Sequence, residues 1–140
     1  MNIDALNGKC EDLQFMYLTD MSRDLIILSD ASQRIIHANE SFLSSFHHKL
    51  SSLRNTEFIS IFSRNSQENL HAAISDTHPL ATQDKGPLYL INGHGKEVPV
   101  NVRLTRYEIS GESILVSVFD DRSKQIHTRY HDLYKMLRLM

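Results

Sequence analysis

Asp24-Leu-Ile-Ile-Leu-Ser-Asp30 and Arg34-Ile-Ile-His-Ala-Asn-Glu-Ser-Phe42 are the two stretches that decide the fold of this chain. The apolar run in the first stretch has the length of a strand, the residues from Asp30 to Gln33 are turn formers, and the second stretch opens as another short strand. Asn39 stands where a helix would begin, because its side-chain oxygen can accept a first-turn N–H and Glu40 suits the positive helix end. The sequence therefore predicts strand, turn, strand and then a capped helix.

Further elements are predicted downstream from apolar spacing and turn formers. Residues 50–62 are predicted to form one or two short helices. Another helix is predicted from Ser66, as its N-cap, to Asp76. A turn at Asn92-Gly-His-Gly95 follows, then two long strands, and Asp121-Arg-Ser123 closes the last of them.

This order of elements resembles the PAS sensory domain family over residues 22–124. The resemblance implies an α+β fold, with a five-stranded antiparallel sheet, short helices over one face and flanking N- and C-terminal helices. It also implies a D-x-[TS] element where the last strand meets a signalling helix. Asp121 and Ser123 match that element and would relay the signal, while Arg122 replaces its usual apolar middle residue. Sensing or interaction is the implied function, because the family carries no single chemistry.

Two end segments, residues 1–21 and 125–140, have the spacing of amphipathic helices. Their apolar residues recur at intervals of three and four: Ile3, Leu6, Cys10, Leu13 and Tyr17 in the first, and Ile126, Tyr130, Leu133, Leu137 and Met140 in the second. The first stripe packs either on the sheet of its own domain or against a second chain. The second is predicted to start a signalling helix, with Leu133 and Leu137 contacting the partner in a homodimer.

The candidate ligand site comes from the resemblance, because in PAS domains the cavity lies between the helices and the sheet. The ligand-facing positions would be Phe46, Phe58, Leu70, Ile74, Leu88, Leu90, Asn101 and Leu115. A small ligand of unknown identity would bind there. The alternative is that these side chains simply fill a core, which would make the chain a ligand-free protein–protein interaction domain.

Flavin is disfavoured as a cofactor. The run Arg54-Asn-Thr-Glu-Phe-Ile59 is similar to the R-N-C-R-F-L run of the light-sensing LOV branch, but Thr56 replaces the cysteine, and a hydroxyl cannot form the thiol adduct. That branch contacts the flavin ring with three polar side chains, of which Asn101 alone is present here. Leu90 and Phe119 at the other two positions would leave buried flavin atoms unpaired, at about 1–3 kcal/mol each.

Haem and metals are disfavoured as well. Some PAS sensors bind haem through a histidine on the helix that corresponds to residues 66–76, where His71 is the single histidine. At about 100° per residue, His71 points along the flank of that helix rather than inward. His127 and His131 form an i, i+4 pair without a third ligand of suitable type. No cofactor or metal is therefore predicted.

Composition limits the function further. A chain of 140 residues with 41% hydrophobic content has room for one domain with a core. Its net charge of −2 and scattered basic residues disfavour nucleic acid and anionic membrane as partners. The single cysteine, Cys10, suits a reducing cytosol, and no apolar run approaches the roughly 20 residues that span a bilayer. A soluble, cytoplasmic protein is expected.

An enzyme is not predicted. Gly93 and Gly95 lie in a predicted hairpin turn rather than in a phosphate-binding loop before a helix, and no nucleophile elbow is present. The sequence instead predicts a sensory and dimerisation module of a bacterial signalling protein. Its effector domain would be of histidine kinase or diguanylate cyclase type, in two-component or cyclic-dinucleotide signalling.

Overall fold

The computed structural model describes residues 19–77, 82–109 and 111–121. In chain order its elements are β1 Leu25–Ser29, β2 Ile35–Ala38, α1 Glu40–Phe46, α2 Leu50–Leu53, a 3-10 helix Phe58–Ile61, α3 Arg64–Ser75, β3 Thr82–Ile91, β4 Glu97–Ile109 and β5 Glu112–Asp121. The strands form one antiparallel sheet in the order β2-β1-β5-β4-β3. The predicted α+β fold with a five-stranded antiparallel sheet is thereby confirmed. Of the flanking helices, residues 19–21 are helical, and the remaining positions lie outside the described residues.

The first hairpin is built by its turn formers, as the sequence predicts. The Asp30 carboxylate accepts the backbone N–H groups of Ser32 and Arg34, at 2.9 and 3.0 Å. Gln33 adopts a φ of 63°, which reverses the chain into β2. β1 and β2 then pair antiparallel, with Ile27 opposite Ala38.

Asn39 ties three segments together at the start of α1. Its Oδ1 atom accepts the N–H of Phe42, which caps α1, and also the N–H of Ile26 at the start of β1. Its Nδ2 atom donates to the carbonyl oxygens of Thr19 and Asp24, at 2.8 and 2.7 Å. The predicted cap is present, and the side chain is 0% exposed. Asn39 therefore joins the helix, the sheet and the residues that precede the sheet.

The start of α3 differs from the prediction. The helix begins at Arg64 with Ser63 as its N-cap residue, rather than at Ser66. The Ser66 hydroxyl instead lies inside the helix, where it accepts the N–H of Tyr89 on β3 and a hydrogen bond from Ser63. Ser66 therefore fixes the helix against the sheet, which is a long-range contact that the local sequence does not reveal.

The sheet has two apolar faces. On the inner face, which carries the helices, a core cluster joins Ile27, Val100, Val102, Leu104, Leu115 and Phe119 to side chains of α1, α2, the 3-10 helix and α3. On the outer face a smaller cluster holds Ile26, Leu28, Ile36 and Ile114, with Val116 and Val118 packed on it. Strand side chains alternate between the faces, so β1 and β5 contribute to both clusters. None of the helices among the described residues is long and apolar enough to cross a membrane.

Candidate functional site

Seven of the eight predicted ligand positions meet in the inner core. Phe46, Phe58, Leu70, Ile74, Leu88, Leu90 and Leu115 belong to one cluster, and each is no more than 2% exposed. They come from α1, the 3-10 helix, α3, β3 and β5. The fold therefore brings these side chains together between the helices and the sheet.

Asn101 is separated from the other seven. It lies between Val100 and Val102 on β4, both of which belong to the inner cluster, so strand alternation directs Asn101 to the outer face. Its side chain is half-buried and covers Gly86 on β3, where a Cβ atom would overlap the Asn101 amide. The prediction that Asn101 faces the ligand site together with the other seven residues is therefore wrong. Asn101 is the one polar side chain that matches the flavin contacts of the LOV branch, and it does not face the inner core.

The inner core has an aromatic end, centred on Phe119 of β5. The Phe119 ring lies 5.0 Å from that of Phe42, and 6.2, 6.2 and 6.0 Å from those of Phe46, Phe58 and Phe62 between centroids. The Phe62 ring is stacked on that of Phe119 and the other three rings are tilted or edge-on to it, and all of these arrangements are favourable at such distances. This end of the core is packed by the protein's own side chains.

The other end of the inner face carries two buried hydroxyl groups, which we call the hydroxyl pair: Ser29 on β1 and Ser117 on β5. Both residues are 0% exposed, and neither Oγ atom has a hydrogen-bond partner within the described parts of the chain. Ser29 lies opposite Leu115, and Ser117 lies opposite Ile27. Because Ile27 and Leu115 belong to the inner cluster, the hydroxyl pair faces the inner core. Sequence analysis missed both serines.

The last turn of α3 lies at this same end of the sheet. Arg106 on β4 pairs with Leu115, which in turn pairs with Ser29. The Arg106 guanidinium donates to the carbonyl oxygens of Ile74 and Thr77, each at 3.1 Å, and so binds the C-terminal end of α3. A cation is favourable there, because the carbonyl end of a helix carries partial negative charge. The arginine thus anchors α3 beside the strands that carry the hydroxyl pair.

The residues weighed for cofactors have ordinary structural roles. The Thr56 hydroxyl donates to the carbonyl oxygen of Leu53 and closes the turn after α2. His71 lies exposed on α3, in agreement with its predicted direction along the flank. Leu90 and Phe119 are buried in the inner cluster. No group of three or more potential metal ligands occurs among the described residues.

The predicted signal relay is described in part. Asp121 is the last residue of β5 and lies opposite Val100 on β4. Ser123 and the predicted dimer residues Leu133 and Leu137 lie outside the described residues. Asp121 therefore lies at the end of a central strand of the sheet, two residues after Phe119 of the inner cluster, and its role in a relay stays a prediction.

The residues of the outer cluster are buried, and a polar contact between His37 and Asp20 lies beside them. Leu28, Ile36 and Ile114 are each 1% exposed. Among the described residues, the hydrophobic side chains that pack against them belong to β1 and β5. His37 lies opposite Leu28 on β2, and its Nε2 atom is 2.9 Å from a carboxylate oxygen of Asp20. The residues just before β1 are thus held against the outer side of β2.

Comparison with solved structures identifies the fold. The PAS domain of a protein from Colwellia psychrerythraea is similar with a TM-score of 0.69 and 13% identity, covering 80% of this chain and 97% of that one. The PAS domain of an HTR-like protein from Haloarcula marismortui has a TM-score of 0.67 and 18% identity over 78% and 89% of the two chains. A PAS domain from a two-component sensor histidine kinase has a TM-score of 0.62 and 11% identity over 79% and 98%.

Sequence comparison adds no relative. No protein-family model matches the chain, and no curated protein matches it. The likeness consequently lies in the order and packing of the elements rather than in shared residues, and the helix-covered antiparallel sheet described above is what the solved domains have in common with it. This chain has the PAS fold.

Proposed function

We propose that this chain is a sensory and dimerisation module of a bacterial signalling protein, and that it is not an enzyme. In this proposal a small ligand binds between the helices and the sheet, or a conformational signal arises there, and the change passes to an effector domain. The observation that supports the proposal is the inner face, where the seven predicted ligand-facing residues, from three helical elements and two strands, pack into one core cluster. The solved domains of this fold include one from a sensor histidine kinase.

The relay would run along β5 into the residues after Asp121. β5 is a central strand, it carries Leu115 and Phe119 on the inner face, and it ends at Asp121. A ligand that shifts those side chains would therefore act on the strand that leads to the C-terminal segment. Such coupling requires two arrangements that differ by only a few kcal/mol. An effector of histidine kinase or diguanylate cyclase type would receive the signal, in a cytoplasmic homodimer.

A second candidate function is a ligand-free interaction domain. It is favoured by the aromatic end of the core, where Phe119 contacts four other phenylalanine rings. A core that its own side chains fill leaves no place for a ligand, because protein interiors are close-packed. Under this alternative the module would only dimerise or bind a partner.

Mass spectrometry separates the two candidates. The purified 140-residue chain would be measured under native conditions and again after denaturation. A small molecule that is present in the first measurement and released in the second supports the sensory function. A chain whose native mass equals its sequence mass, and which binds no small molecule in a ligand screen, supports the interaction domain instead.

A colourless purified protein is the related prediction on cofactors. Thr56, Leu90 and Phe119 replace the groups that would hold and react with a flavin, and His71 lies exposed rather than in the inner core. Absorbance from 350 to 500 nm, about the range of flavin and haem bands, should therefore be flat relative to the protein band. A haem or flavin band at near-stoichiometric occupancy would contradict this expectation.

A further inference from the structure

The hydroxyl pair has no partner in the packing of the inner core. Ser29 and Ser117 are each 0% exposed, and their Oγ atoms make no hydrogen bond to the described residues. Burying a hydroxyl without a hydrogen bond is unfavourable, so such groups are rare in folded proteins and call for an explanation. Because the two unpaired hydroxyls lie on neighbouring strands and face the same core, a single partner would satisfy both.

The register places the two serines within reach of one polar atom. Ser29 is opposite Leu115 and Ser117 is opposite Ile27, so the serines are diagonal neighbours across β1 and β5. Diagonal neighbours on one face have Cβ atoms somewhat less than about 7–8 Å apart. A single hydroxyl, carbonyl or amide group between them can therefore hydrogen-bond with both. One serine hydroxyl can donate to that group, and the other can donate or accept.

The surroundings of the hydroxyl pair are apolar and without spare charge. Ser117 lies between Ile27 and Leu104 across the sheet, and both of those side chains are 0% exposed. The described cation at this end, Arg106, already donates to the carbonyl oxygens of Ile74 and Thr77 and to the Ser113 hydroxyl. A buried ligand ion would lack a counter-charge, so the matching ligand is neutral.

We propose that Ser29 and Ser117 form the polar end of the ligand site, and that they hold a small neutral molecule with one hydroxyl, carbonyl or amide group on an apolar body. The apolar body lies against the aliphatic residues of the inner core, beside the last turn of α3. This inference rests on the ligand-binding form of the proposed function, and it adds the chemical class of the ligand and the two residues that select it.

Thermal stability of the ligand-free chain gives the first test. In Ser29→Ala and Ser117→Ala a costly unpaired hydroxyl is removed while the Cβ atom stays, so each variant should melt about 4 °C or more above the wild type. Ser66→Ala is the matched control, because its hydroxyl is also buried, at 4% exposure, but has two partners. That variant should melt lower. If Ser29→Ala and Ser117→Ala both melt lower too, the hydroxyls have partners in the protein and the proposal is wrong.

Binding of matched probes gives the second test. The full chain would be titrated with benzyl alcohol and with ethylbenzene, which replaces the hydroxyl by a methyl group, while two-dimensional NMR follows the backbone amides. Cyclohexanol and methylcyclohexane form a second pair of smaller probes. Each alcohol should bind the wild type about tenfold more tightly than its hydrocarbon. Each serine-to-alanine variant should lose about that tenfold preference and keep its affinity for the hydrocarbon.

The outcomes separate this inference from the function on which it rests. Equal affinity for alcohols and hydrocarbons would overturn the role of the serines while leaving a ligand site in the core. Binding of none of the four probes would overturn the inference, and a native mass without a small molecule would then overturn the ligand-binding function as well. A crystal structure with an ordered water bridging the two hydroxyls, together with unselective probe binding, would show that water is their partner.

Discussion

At the scale of single residues, Asn39 is predicted from the sequence as a helix cap, and its side chain makes hydrogen bonds to several other residues. Replacing it with alanine removes the cap of α1 and the hydrogen bonds to Ile26, Thr19 and Asp24. A cap alone contributes about 1 kcal/mol, but the buried partners would also be left unpaired. Asn39→Ala should therefore destabilise the domain by about 2 kcal/mol or more, which lowers its melting temperature by roughly 8–16 °C.

Two further variants check that explanation by calorimetry or circular dichroism. Asn69→Ala, on the exposed side of α3, should leave the melting temperature nearly unchanged or raise it slightly, since alanine favours helix. Asn39→Asp keeps the oxygen that caps the helix but turns a second carboxylate oxygen towards the carbonyl oxygens of Thr19 and Asp24 in a buried position, so it should destabilise the domain at least as much as alanine. An Asn39→Ala variant that melts with the wild type would refute the structural role.

Single residues also show where sequence reasoning stops. Asn101 could have been placed correctly, because Val98, Val100, Val102 and Leu104 alternate with it along the strand. The faces of Ser29 and Ser117 could not be predicted in this way. β1 and β5 contribute to both clusters, and their continuous apolar runs hide the period of two. The face to which Ser29 points becomes visible only once the register with β5 is known. Polar ligand contacts in a doubly covered strand are therefore poorly predictable from sequence.

At the scale of elements, α3 is anchored to the sheet by contacts that are distant in the sequence. Ser66 binds the backbone of β3 near the start of the helix, and Arg106 of β4 binds the carbonyl oxygens at its end. Leu70, Ala73 and Ile74 form the buried apolar face of α3 at the spacing of an amphipathic helix. Its start was placed at Ser66 because that serine resembles an N-cap in the local sequence, whereas the long-range partner Tyr89 decides its role.

The anchor at the end of α3 leads to a prediction with a matched control. Arg106→Met should lower the free energy of unfolding by about 1–3 kcal/mol, because the carbonyl oxygens of Ile74 and Thr77 lose a charged donor in a half-buried position. Arg103→Met on the same strand removes an ion pair with Asp84 whose side chains are 63% and 69% exposed, and it should cost less than about 1 kcal/mol. Urea unfolding of the two variants measures the difference, and equal losses would contradict the anchoring role of Arg106.

At the scale of the whole molecule, the described residues share one inner core. The inner cluster runs from Ile27 to Phe119 and includes side chains of α1, α2, the 3-10 helix and α3. This is also the part of the fold that sequence patterns and the PAS resemblance predicted well, because element order and turn chemistry are local signals. The roles of residues 1–18 and 122–140 stay predictions. For the N-terminal segment, amphipathic spacing fits packing on the sheet and packing on another chain equally, whereas the C-terminal segment is predicted to start a signalling helix that contacts the partner.

Dimerisation through the C-terminal segment is the last prediction. Leu133→Glu combined with Leu137→Glu would place like charges opposite each other in a parallel homodimer, so the double variant should shift the chain from dimer towards monomer in sedimentation equilibrium. The fold should persist, because the proposal places Leu133 and Leu137 in the contact with the partner chain rather than in the core. Thr128→Glu with Leu139→Glu is the control. It adds the same charge on the opposite side of such a helix, at 100° per residue, and should leave the dimer intact.

The relay residue should behave differently from the dimer residues. Asp121 lies at the end of β5, so Asp121→Ala should weaken the coupling between the inner core and the C-terminal segment while the chain stays dimeric. In a fusion to a histidine kinase this variant would lose its response to ligand but keep its basal activity. A wild type that is monomeric at high micromolar concentration would refute the dimer. A double glutamate variant that unfolds would place Leu133 and Leu137 in the core, because charging a leucine that contacts only the partner chain leaves the sheet folded.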